Sequence, residues 1–387
     1  MKIGIDIRTL KGDNRVRGIG TYVYNLVENL LEYDSKNEYL LFLDKESLAN
    51  NTKDWIISLK QKAVSRLGFK EIPMVNTLDI KNQILVYKCI CDKKIDIFHS
   101  LVQGDLPWFR PYKSIVTVHD LVQLKFPETY LRGTGIRYKL RYFAKLFATS
   151  KASKLIAISE NTKEDIIKYL KVPEHRISVV HNGVSNNFRP ITYNKLFNEL
   201  KTRYQINGRF IMYAGSLDER KNIVRILKAF NKVIQGTNED IYFLIAGKID
   251  SEGEMLIKKF KEAGLLKNVI FTGFVNEEEL VSFYNACEFF VFPSIYEGFG
   301  LPALEAMACG KTLISSNNSS LCEIVGDAGY CVNPYSEDEI IEGIRGLLTN
   351  NELRRDLEGK ALERAKNFSW KRTAQETLKV YEEVGRL

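Results

Sequence analysis

Two glutamates with seven residues between them, Glu297 and Glu305, are the side chains of this chain best placed to bind a polar ligand. The segment between them reads GFGLPAL, and Pro302 within it predicts the first turn of a helix. Residues 298–301 would then form a loop and helix start whose free backbone N–H groups can hold a pyrophosphate. Glu305 would lie about one turn into that helix, where a carboxylate commonly binds the vicinal hydroxyls of a ribose. The spacing therefore predicts a nucleotide-diphosphate site.

A pair of cations forms the second candidate site. Arg220 and Lys221 follow a predicted strand that ends at Ala214, and they come directly before a predicted helix. Positive charge at a helix start opposes the helix dipole, so an anion that pairs with both cations would explain their position. This placement favours a bound diphosphate. The alternative is that both side chains point into water.

Glycines mark the first strand–helix junction, in the segment RGIGTY. Gly18 and Gly20 are expected in a loop that turns into a helix near Thr21, where glycine lets backbone N–H groups approach an anion. The segment lacks the third glycine of a dinucleotide-binding fingerprint. A plain flexible loop is the alternative interpretation.

Two histidines are expected at strand ends, where the ligand-binding groups of α/β proteins usually project. His119 follows the strand IVTV and precedes Asp120, while His99 stands in the segment DIFHS. An imidazole can donate a hydrogen bond or a proton to an oxygen of a sugar or phosphate. The alternative for His119 is a side chain satisfied by Asp120 with no ligand. His99 has a comparable claim to a ligand.

Short apolar segments alternate with amphipathic helical segments, which is typical of parallel sheets with crossover helices. The Asn- and Gly-rich segment HNGVSNNFRP predicts a boundary between two doubly wound α/β units. Ligands of such units bind beyond the carboxyl ends of the strands, so two facing units would leave a binding cleft between them. The predicted strands are 2–7, 39–43, 95–98, 114–118, 154–158, 177–180, 210–213, 241–246, 268–272, 289–292 and 312–315, and the predicted helices include 20–33, 160–170, 223–234 and 278–286.

The composition is that of an ordinary globular protein, with 387 residues of which 45% are apolar and 27% charged. These values exclude disorder, collagen-like repeats and a disulfide scaffold. The six cysteines are scattered, without C-x-x-C or a histidine at zinc-ligand spacing, so we expect free thiols, no structural metal and a cytoplasmic location. MKIGIDIRTL is expected to be a strand and not a signal peptide, and no uninterrupted apolar stretch is long enough to span a membrane.

The net charge of +8 is concentrated in the first unit, where residues 1–183 contain 30 basic and 20 acidic residues. Residues 129–159 contain no Asp or Glu and predict a basic amphipathic helix. Its apolar stripe favours ordinary packing against a core, whereas its unbroken positive charge favours a lipid or phosphate partner. Nucleic acid is not expected as a partner, because no recognised nucleic-acid-binding motif occurs. The stripe consists of Ile136, Leu140, Phe143 and Phe147, and the cations expected to meet an anionic acceptor or membrane are Arg137, Lys139, Arg141 and Lys145.

Taken together, these motifs resemble those of the retaining glycosyltransferases of family 4, which have the GT-B fold of two Rossmann-like doubly wound domains facing across a cleft. The resemblance covers essentially the whole chain, and its most specific element is E-x7-E. RGIGTY and GSLDERKN are most similar to segments of bacterial mannosyltransferases that build surface polysaccharide. The remaining elements are VHDL, ISENTKEDI, HNGV, GFVNEEEL and FSWKRTAQETLKVYEEV.

The resemblance implies that residues 184–369 bind a nucleotide-sugar donor. It also implies that residues 1–183, together with a returning helix in 370–387, bind the acceptor. Many members carry the arginine of the diphosphate site earlier in its loop, where this chain has Ser216. The resemblance implies that the diphosphate is bound by Arg220 and Lys221, the ribose by Glu305 and the hydroxyls of the transferred sugar by Glu297. It implies that sugar and phosphate meet the amides of Gly298, Phe299, Gly300 and Leu301, that the base packs against Phe274 and Val275, and that Gly18 and Gly20 close over the donor. His119 would contact the transferred sugar and help catalysis, and Glu297, Arg220 and Lys221 are the other catalytic residues implied.

The implied reaction moves a sugar, with GDP-mannose as the first candidate donor, to a hydroxyl of a glycan or polyprenyl-diphosphate-linked acceptor with retention of configuration. The donor phosphate would take the acceptor proton in a front-face attack, without a metal or another cofactor. An anionic membrane at the inner face of the cell is a further expected partner. Two alternatives stay open: a nucleotide-sugar epimerase or phosphorylase of the same fold, and a binding protein with a degenerate site.

Overall fold

A computed structural model describes residues 1–10, 18–44, 52–62, 66–76, 78–104, 106–108, 110, 112–192, 195–236, 240–249 and 251–386. The chain divides into two compact units, Met1–Gly183 with Ser369–Leu387 and Val184–Phe368. The second boundary thus lies one residue before the predicted 369/370. Ser369 belongs to the first unit because its carbonyl accepts the N–H of Thr373 at 3.0 Å and its hydroxyl accepts the N–H of Arg372 at 3.2 Å.

Strands and helices alternate through both units. The strands are β1 (Lys2–Asp6), β2 (Glu38–Leu43), β3 (Leu67–Glu71), β4 (Ile97–Ser100), β5 (Lys113–Val118), β6 (Lys154–Ala157), β7 (Ile177–Val179), β8 (Arg209–Ala214), β9 (Ile241–Ala246), β10 (Val269–Gly273), β11 (Phe290–Phe292), β12 (Leu313–Ser316) and β13 (Tyr330–Val332). The α-helices are α1 (Gly18–Tyr33), α2 (Thr52–Lys62), α3 (Ile80–Cys91), α4 (Val122–Lys125), α5 (Pro127–Tyr130), α6 (Ile136–Ser150), α7 (Glu160–Asp165), α8 (Lys195–Arg203), α9 (Ile223–Gln235), α10 (Ser251–Glu262), α11 (Glu277–Ala286), α12 (Leu301–Ala308), α13 (Ser319–Val325), α14 (Glu337–Thr349), α15 (Asn351–Ala365) and α16 (Trp370–Arg386).

The described strands of the first unit form a parallel sheet in the order β3-β2-β1-β4-β5-β6-β7. Strands β4 and β6 are buried along their whole length, as expected where helices cover a parallel sheet. A single apolar cluster joins the sheet to Val86 and Ile90 of α3 and to Leu146 of α6. These two helices therefore cover the same side of the sheet.

The last helix returns to the first unit, where it packs against α1 and β4. Tyr381 of α16 lies 2.7 Å from Nδ1 of His99, and the other ring nitrogen of His99 lies 2.9 Å from Oγ1 of Thr117. That threonine also pairs with the hydroxyl of Tyr22 in α1, at 3.0 Å. These buried hydrogen bonds connect α16 and α1 to the sheet. They explain why the last helix packs in this unit although no strand follows it.

The described strands of the second unit form a parallel sheet in the order β10-β9-β8-β11-β12-β13. Counted within the unit, this is the 3-2-1-4-5-6 order of dinucleotide-binding domains. The strand order reverses between β8 and β11, and ligands of such sheets bind beyond the carboxyl ends at that point. The two loops that follow β8 and β11 are therefore the places to look for a site.

The structure corrects the predicted elements in two places. Strands β3 and β13 were not predicted, because their segments are short and only partly buried and so lack a clear apolar pattern. The helix expected near Thr21 begins at Gly18, so Gly18 and the buried Gly20 belong to its first turns and not to a loop. The backbone N–H groups of a first turn have no intrahelical acceptor, whichever residues form it.

Candidate active site

The loops after β8 and β11 carry the charged residues that the sequence singled out separately. Arg220 and Lys221 lie in a short 3-10 turn between β8 and α9, and Glu297 lies in the loop between β11 and α12. Since β8 and β11 are neighbours in the sheet, their carboxyl ends bring these loops together. The site therefore lies at the point where the strand order reverses.

Asn222 connects these loops. Its backbone is in the left-handed region, with φ of +64°, and its side chain is buried. Its amide Nδ2 donates to the carbonyl of Pro293 at 3.0 Å and to that of Pro334 at 2.7 Å. The N–H of Ile295 also donates to the carbonyl of Arg220 at 2.7 Å. These bonds fix the turn that carries both cations against the loop that carries the glutamate.

The three charged side chains form a buried ion cluster. Nζ of Lys221 lies 2.6 Å from Oε1 of Glu297, and Nη1 of Arg220 lies 3.0 Å from Oε2 of the same carboxylate. Lys221 also lies over the ring of Phe292, 4.9 Å from its centre. Arg220 also pairs with Asp218, whose Oδ1 lies 3.4 Å from its Nε, so the two cations face two carboxylates.

Burial and charge act in opposite directions on this cluster. Burial raises the pKa of Glu297, but the charges of Lys221 and Arg220 outweigh it and the pKa ends below its usual value. Burial also lowers the pKa of Lys221, against the opposing pull of Glu297. The carboxylate is therefore held ionised, which suits it to accept hydrogen bonds and makes it a poor proton acceptor.

The alternative interpretation, that both cations point into water, is wrong, because Lys221 is buried and Arg220 is only 23% exposed. Their partner in the structure is Glu297, and pairing with a diphosphate remains a prediction. Ser216, at the position where many relatives carry an arginine, donates its hydroxyl to Asp218 at 2.7 Å. Arg220 reaches the cluster from the other end of the same loop.

Residues 298–301 form the loop and helix start that the sequence predicted. Helix α12 begins at Leu301, and Pro302 occupies its first turn. Gly300 caps the helix with φ of +98°, and a Cβ atom there would lie 2.5 Å from Cδ2 of Leu321. Glycine is thus required at this position by conformation and by space. Phe299 packs edge-on against Phe368 instead of pointing outward, with ring centres 6.0 Å apart.

Glu305 lies on α12, and its described hydrogen-bond partner is a phenol instead of a cation. Its Oε2 lies 3.2 Å from the hydroxyl of Tyr284, which also lies 3.2 Å from the carbonyl oxygen of Pro302. Burial raises the pKa of Glu305 to about 7, more than the tyrosine hydrogen bond lowers it. This carboxyl group is therefore close to half protonated at neutral pH.

The residues predicted to contact the base lie after β10. Phe274 is 60% exposed and Val275 is partly exposed. An exposed aromatic ring at a strand end is free to stack on a planar ligand. That Phe274 packs against a base stays a prediction.

His99 and His119 of the first unit are both buried, but they differ in their hydrogen bonds. His99 is fully buried, both ring nitrogens are hydrogen-bonded, and burial lowers its pKa to about 3. It is a neutral structural residue, so its claim to a ligand was wrong. His119 is also buried, and its Nε2 donates to the carbonyl of Leu101 at 2.8 Å. Its partner is thus not Asp120, as the alternative interpretation supposed, and burial again lowers its pKa.

Helix α6 overturns the expectation that its apolar stripe packs against the core. Each stripe residue is about half exposed or more: Ile136 at 70%, Leu140 at 55%, Phe143 at 51% and Phe147 at 49%. The helix is held instead through Leu146, Ala148 and Thr149 near its end. Helical spacing showed which residues share a face but not whether that face meets the core.

Three features of the site were not predicted from the sequence. They are the hydrogen bonds by which Asn222 joins the loops, the hydrogen bond of Tyr284 to Glu305, and the ion pairs of Glu297 with both cations. Each joins residues far apart in the chain, and no local pattern reveals such pairs. Within the described part of the chain, no group of three or more His, Cys, Asp or Glu side chains could hold a metal ion. No helix of that part is long and apolar enough to cross a membrane.

Comparison with known proteins places this arrangement in a family. The sequence profile of the Glycosyl transferases group 1 matches residues 198–364, and that of Glycosyltransferase Family 4 matches residues 16–188. The uncharacterized glycosyltransferase MJ1178 of Methanocaldococcus jannaschii is 31% identical over 384 residues, which cover 95% of each chain. A serotype-specific mannosyltransferase WbdA of Escherichia coli is 32% identical over 400 residues, 97% of this chain and 47% of WbdA.

The chain spans only 33% to 47% of the length of the WbdA proteins that it matches. Among solved structures, Anabaena Alr3699/HepE in complex with UDP and glucose superposes with a TM-score of 0.76 at 17% identity. The superposition covers 99% of this chain and 100% of that one. These likenesses agree with the two sheets and with the predicted fold, and the chain belongs to the glycosyltransferases of family 4, with the GT-B fold.

Proposed function

We propose that the chain is a retaining hexosyltransferase that moves a sugar from a nucleotide-diphosphate sugar to an acceptor hydroxyl. The observation that carries this proposal is the ion cluster of Arg220, Lys221 and Glu297 at the reversal point of the second sheet. A glycosyltransferase needs such a cluster because its leaving group is a diphosphate that gains negative charge as the sugar departs.

The cluster stabilises the leaving group electrostatically. Its two cations lie in a largely buried place, where a charge interaction is stronger than in water. Arg220 is the more exposed of the two cations, so it is the one that meets the diphosphate most directly. Lys221 remains paired with Glu297, and its positive charge adds to the stabilisation of the diphosphate. No metal ion is required in this proposal, since the two cations supply the positive charge.

The sugar–phosphate bond breaks and the acceptor oxygen forms its bond on the same face of the sugar. The acceptor proton passes to the departing diphosphate. Glu297 accepts hydrogen bonds from hydroxyls of the transferred sugar, since its lowered pKa makes it a poor base. The backbone amides of residues 298–301 bind sugar and phosphate. His119 of the first unit contacts the transferred sugar, and Gly18 and Gly20 close over the donor.

Glu305 binds the ribose in this proposal, and Phe274 with Val275 packs against the base. A ribose supplies two hydroxyl donors, which favour the ionised carboxylate. Because the pKa of Glu305 is raised to about 7 in the free protein, donor binding should release a proton near neutral pH. Glu305→Gln distinguishes this proton release from one that arises at the phosphates of the nucleotide.

The relatives support mannose as the sugar and GDP-mannose as the donor, because WbdA is named a mannosyltransferase. A UDP-sugar is the second candidate, because the HepE structure contains UDP and glucose. The acceptor proposed is a hydroxyl of a glycan or polyprenyl-diphosphate-linked molecule in surface polysaccharide synthesis, at the cytoplasmic face of the membrane. The exposed Arg137 and Arg141 of α6, with Lys139 and Lys145, are placed to meet its anionic groups.

The deciding experiment is calorimetric titration with GDP, UDP, ADP and dTDP, each with EDTA. One nucleotide should bind without metal, and Lys221→Met should weaken it by at least about tenfold. Repeating the titration near pH 7 in buffers of different ionisation enthalpy should show proton release that Glu305→Gln abolishes. Failure of every nucleotide to bind, with or without added Mg²⁺, would contradict the donor site.

Transfer itself is tested with the matching nucleotide sugar and a mannose-containing glycan. NMR of the product reports the anomeric configuration, which should equal that of the donor. Conversion of the nucleotide sugar in the absence of any acceptor would instead identify an epimerase. Binding without any turnover would identify a degenerate site.

A further inference from the structure

Helix α3 exposes an apolar side that the sequence analysis did not single out. Ile80 is 67% exposed, Ile84 44% and Leu85 51%, and Leu78 just before the helix is 53% exposed. The opposite side of α3 is buried in the core through Val86 and Ile90. A helix that is already packed on one side does not need these outward residues for folding.

Helix α6 repeats this arrangement on a larger scale. Every residue of 136–145 is exposed or only partly buried, although the segment includes Ile136, Tyr138, Leu140 and Phe143. Tyr138 and Tyr142 stack with their rings 6.5 Å apart along the helix. The first two-thirds of α6 thus present large apolar side chains to solvent.

Trp108 connects the two helices. Its backbone N–H donates to Oε1 of Gln83 in α3 at 2.8 Å, and the centre of its ring lies 5.5 Å from that of Phe147 in α6. The indole is itself 41% exposed. Since α3 and α6 cover the same side of the sheet and Trp108 contacts a residue of each, their outward sides lie on the same face of the unit. We call this surface the two-helix face; it consists of Leu78, Ile80, Ile84, Leu85, Trp108, Ile136, Tyr138, Leu140, Phe143 and Phe147.

Cations accompany these apolar residues. Lys81 and Lys88 are exposed on α3, whose two ends carry the exposed Asp79 and Asp92, and Arg137 and Arg141 are exposed on α6. No acidic residue occurs in 129–159. Contiguous large apolar side chains on the surface mark an interaction site, and flanking cations select a partner whose surface is anionic.

We infer that the two-helix face inserts into the surface of a bilayer that contains anionic lipid. Its aliphatic and aromatic side chains enter the boundary between headgroups and acyl chains, and the flanking cations lie beside lipid phosphates. This binding differs from a purely electrostatic contact of α6, because apolar insertion persists in salt and involves α3. It does not depend on the transferase activity, although it would hold the chain beside a lipid-linked acceptor.

The test is flotation of the full chain with vesicles of phosphatidylcholine alone or with 30 mol% phosphatidylglycerol, at about 0.1 M and 0.5 M salt. The wild type should float with the anionic vesicles and keep a measurable fraction bound at high salt. Ile84→Glu on α3 and Phe143→Glu on α6 should each lower the partition coefficient about tenfold or more at both salt concentrations. Arg137→Gln with Arg141→Gln should lower it chiefly at low salt.

The matched control is Ile57→Glu, because Ile57 is 53% exposed in the same unit but lies on α2, outside the two-helix face. It should leave flotation unchanged. Vesicles that carry brominated acyl chains should quench tryptophan fluorescence, and Trp108→Phe should remove most of the quenching. Circular dichroism and nucleotide binding of each variant show that folding and the donor site are intact.

Three results would overturn the inference. The first is a wild type that does not float with anionic vesicles. The second is unchanged flotation of Ile84→Glu, which would leave α6 as a lone helix on the membrane. The third is a lipid-free dimer, detected by sedimentation, that the same two substitutions dissociate, since a second copy of the chain would then cover the face. None of these results bears on nucleotide binding, so the proposed function is tested separately.

Discussion

The two glutamates of one motif have opposite surroundings. Glu297, in the loop after β11, lies between Lys221 and Arg220 and is held ionised. Glu305, in α12, is also buried enough to raise its pKa to about 7, and its described hydrogen-bond partner is the neutral hydroxyl of Tyr284. The difference arises from residues far away in the chain and not from the motif itself. Two carboxylates that look equivalent in the sequence are therefore suited to different tasks.

A permanently ionised carboxylate and a half-protonated one respond differently to a ligand. The charge of Glu297 is already compensated, so it offers fixed acceptor oxygens to a sugar. Glu305 can lose its proton when hydroxyl donors arrive, so its charge changes with ligand binding. The two kinds of carboxylate should respond differently to substitution. The changes that test this remove the charge of Glu297, the charges of Glu297 and Lys221 together, the charge of Glu305, or the hydroxyl of Tyr284.

Glu297→Gln should have the largest effect. The substitution leaves Lys221 buried next to Arg220 without a carboxylate, and an orphaned buried charge costs about 3 kcal/mol in free energy of unfolding. Turnover should fall at least about a hundredfold, because the two cations then repel each other and lose their position. Denaturant unfolding and initial rates measure the two effects. Wild-type stability together with wild-type turnover would contradict the cluster.

The double substitution Glu297→Leu with Lys221→Met should recover much of the lost stability. Replacing both members of a buried ion pair by apolar residues is often close to neutral, so the double variant should unfold within about 1 kcal/mol of the wild type. Turnover should stay as low as in Glu297→Gln. Recovery of both stability and turnover would mean that the cluster serves the fold alone. Recovery of neither would mean that the fold does not tolerate Arg220 without Glu297.

The comparison also shows what the sequence could and could not predict. Buried strands such as β1, β9 and the apolar side of α9 follow directly from apolar patterns, and the doubly wound order follows from their alternation with helices. Gly300 and Pro302 marked the start of α12 because helix starts have a local chemistry. The fold was therefore predictable from segments considered one at a time.

The charge states of the site were not predictable in this way. Lys221 and Glu297 were each recognised as site residues, yet their pairing depends on the adjacency of β8 and β11. Burial raises the pKa of Glu305, and the hydrogen bond from Tyr284, which belongs to another helix, lowers it only in part. The predicted packing of the apolar stripe of α6 was wrong for a related reason. A helical pattern shows which residues share a face but not what covers that face.

The pH dependence of stability should separate Glu305 from Glu297. The pKa of Glu305 is about 7 in the folded chain and has a normal value of 4.5, so the folded state binds the extra proton between these values. Stability should therefore fall by about 2 kcal/mol as the pH rises from 5 to 8. Glu305→Gln should remove most of this slope, while Glu278→Gln, an exposed carboxylate on α11, should leave it unchanged. An equal slope in all three proteins would contradict the raised pKa.

The smallest effect is expected for Tyr284→Phe, which removes one hydroxyl and keeps the ring. A protonated Glu305 can donate to the tyrosine oxygen while the tyrosine donates to the carbonyl of Pro302. An ionised Glu305 can only accept, so the tyrosine hydroxyl donates to the carboxylate and no longer to the carbonyl of Pro302. The substitution should cost about 1 kcal/mol overall, with the larger loss above pH 7, because the ionised form depends on that donor. The pKa of Glu305 should therefore rise further and the pH slope should steepen.

The control for this last change is Tyr204→Phe, whose hydroxyl donates at 3.4 Å to the neutral carbonyl of Thr272. Its loss should be independent of pH between 5 and 8. Denaturant midpoints at pH 5, 6.5 and 8 for both variants and the wild type measure the difference. A steeper slope in Tyr284→Phe alone would show that the phenol sets how readily Glu305 ionises. A parallel shift in both variants would mean that the hydroxyl only fills a hydrogen bond, and that burial by itself sets the charge state of the second glutamate.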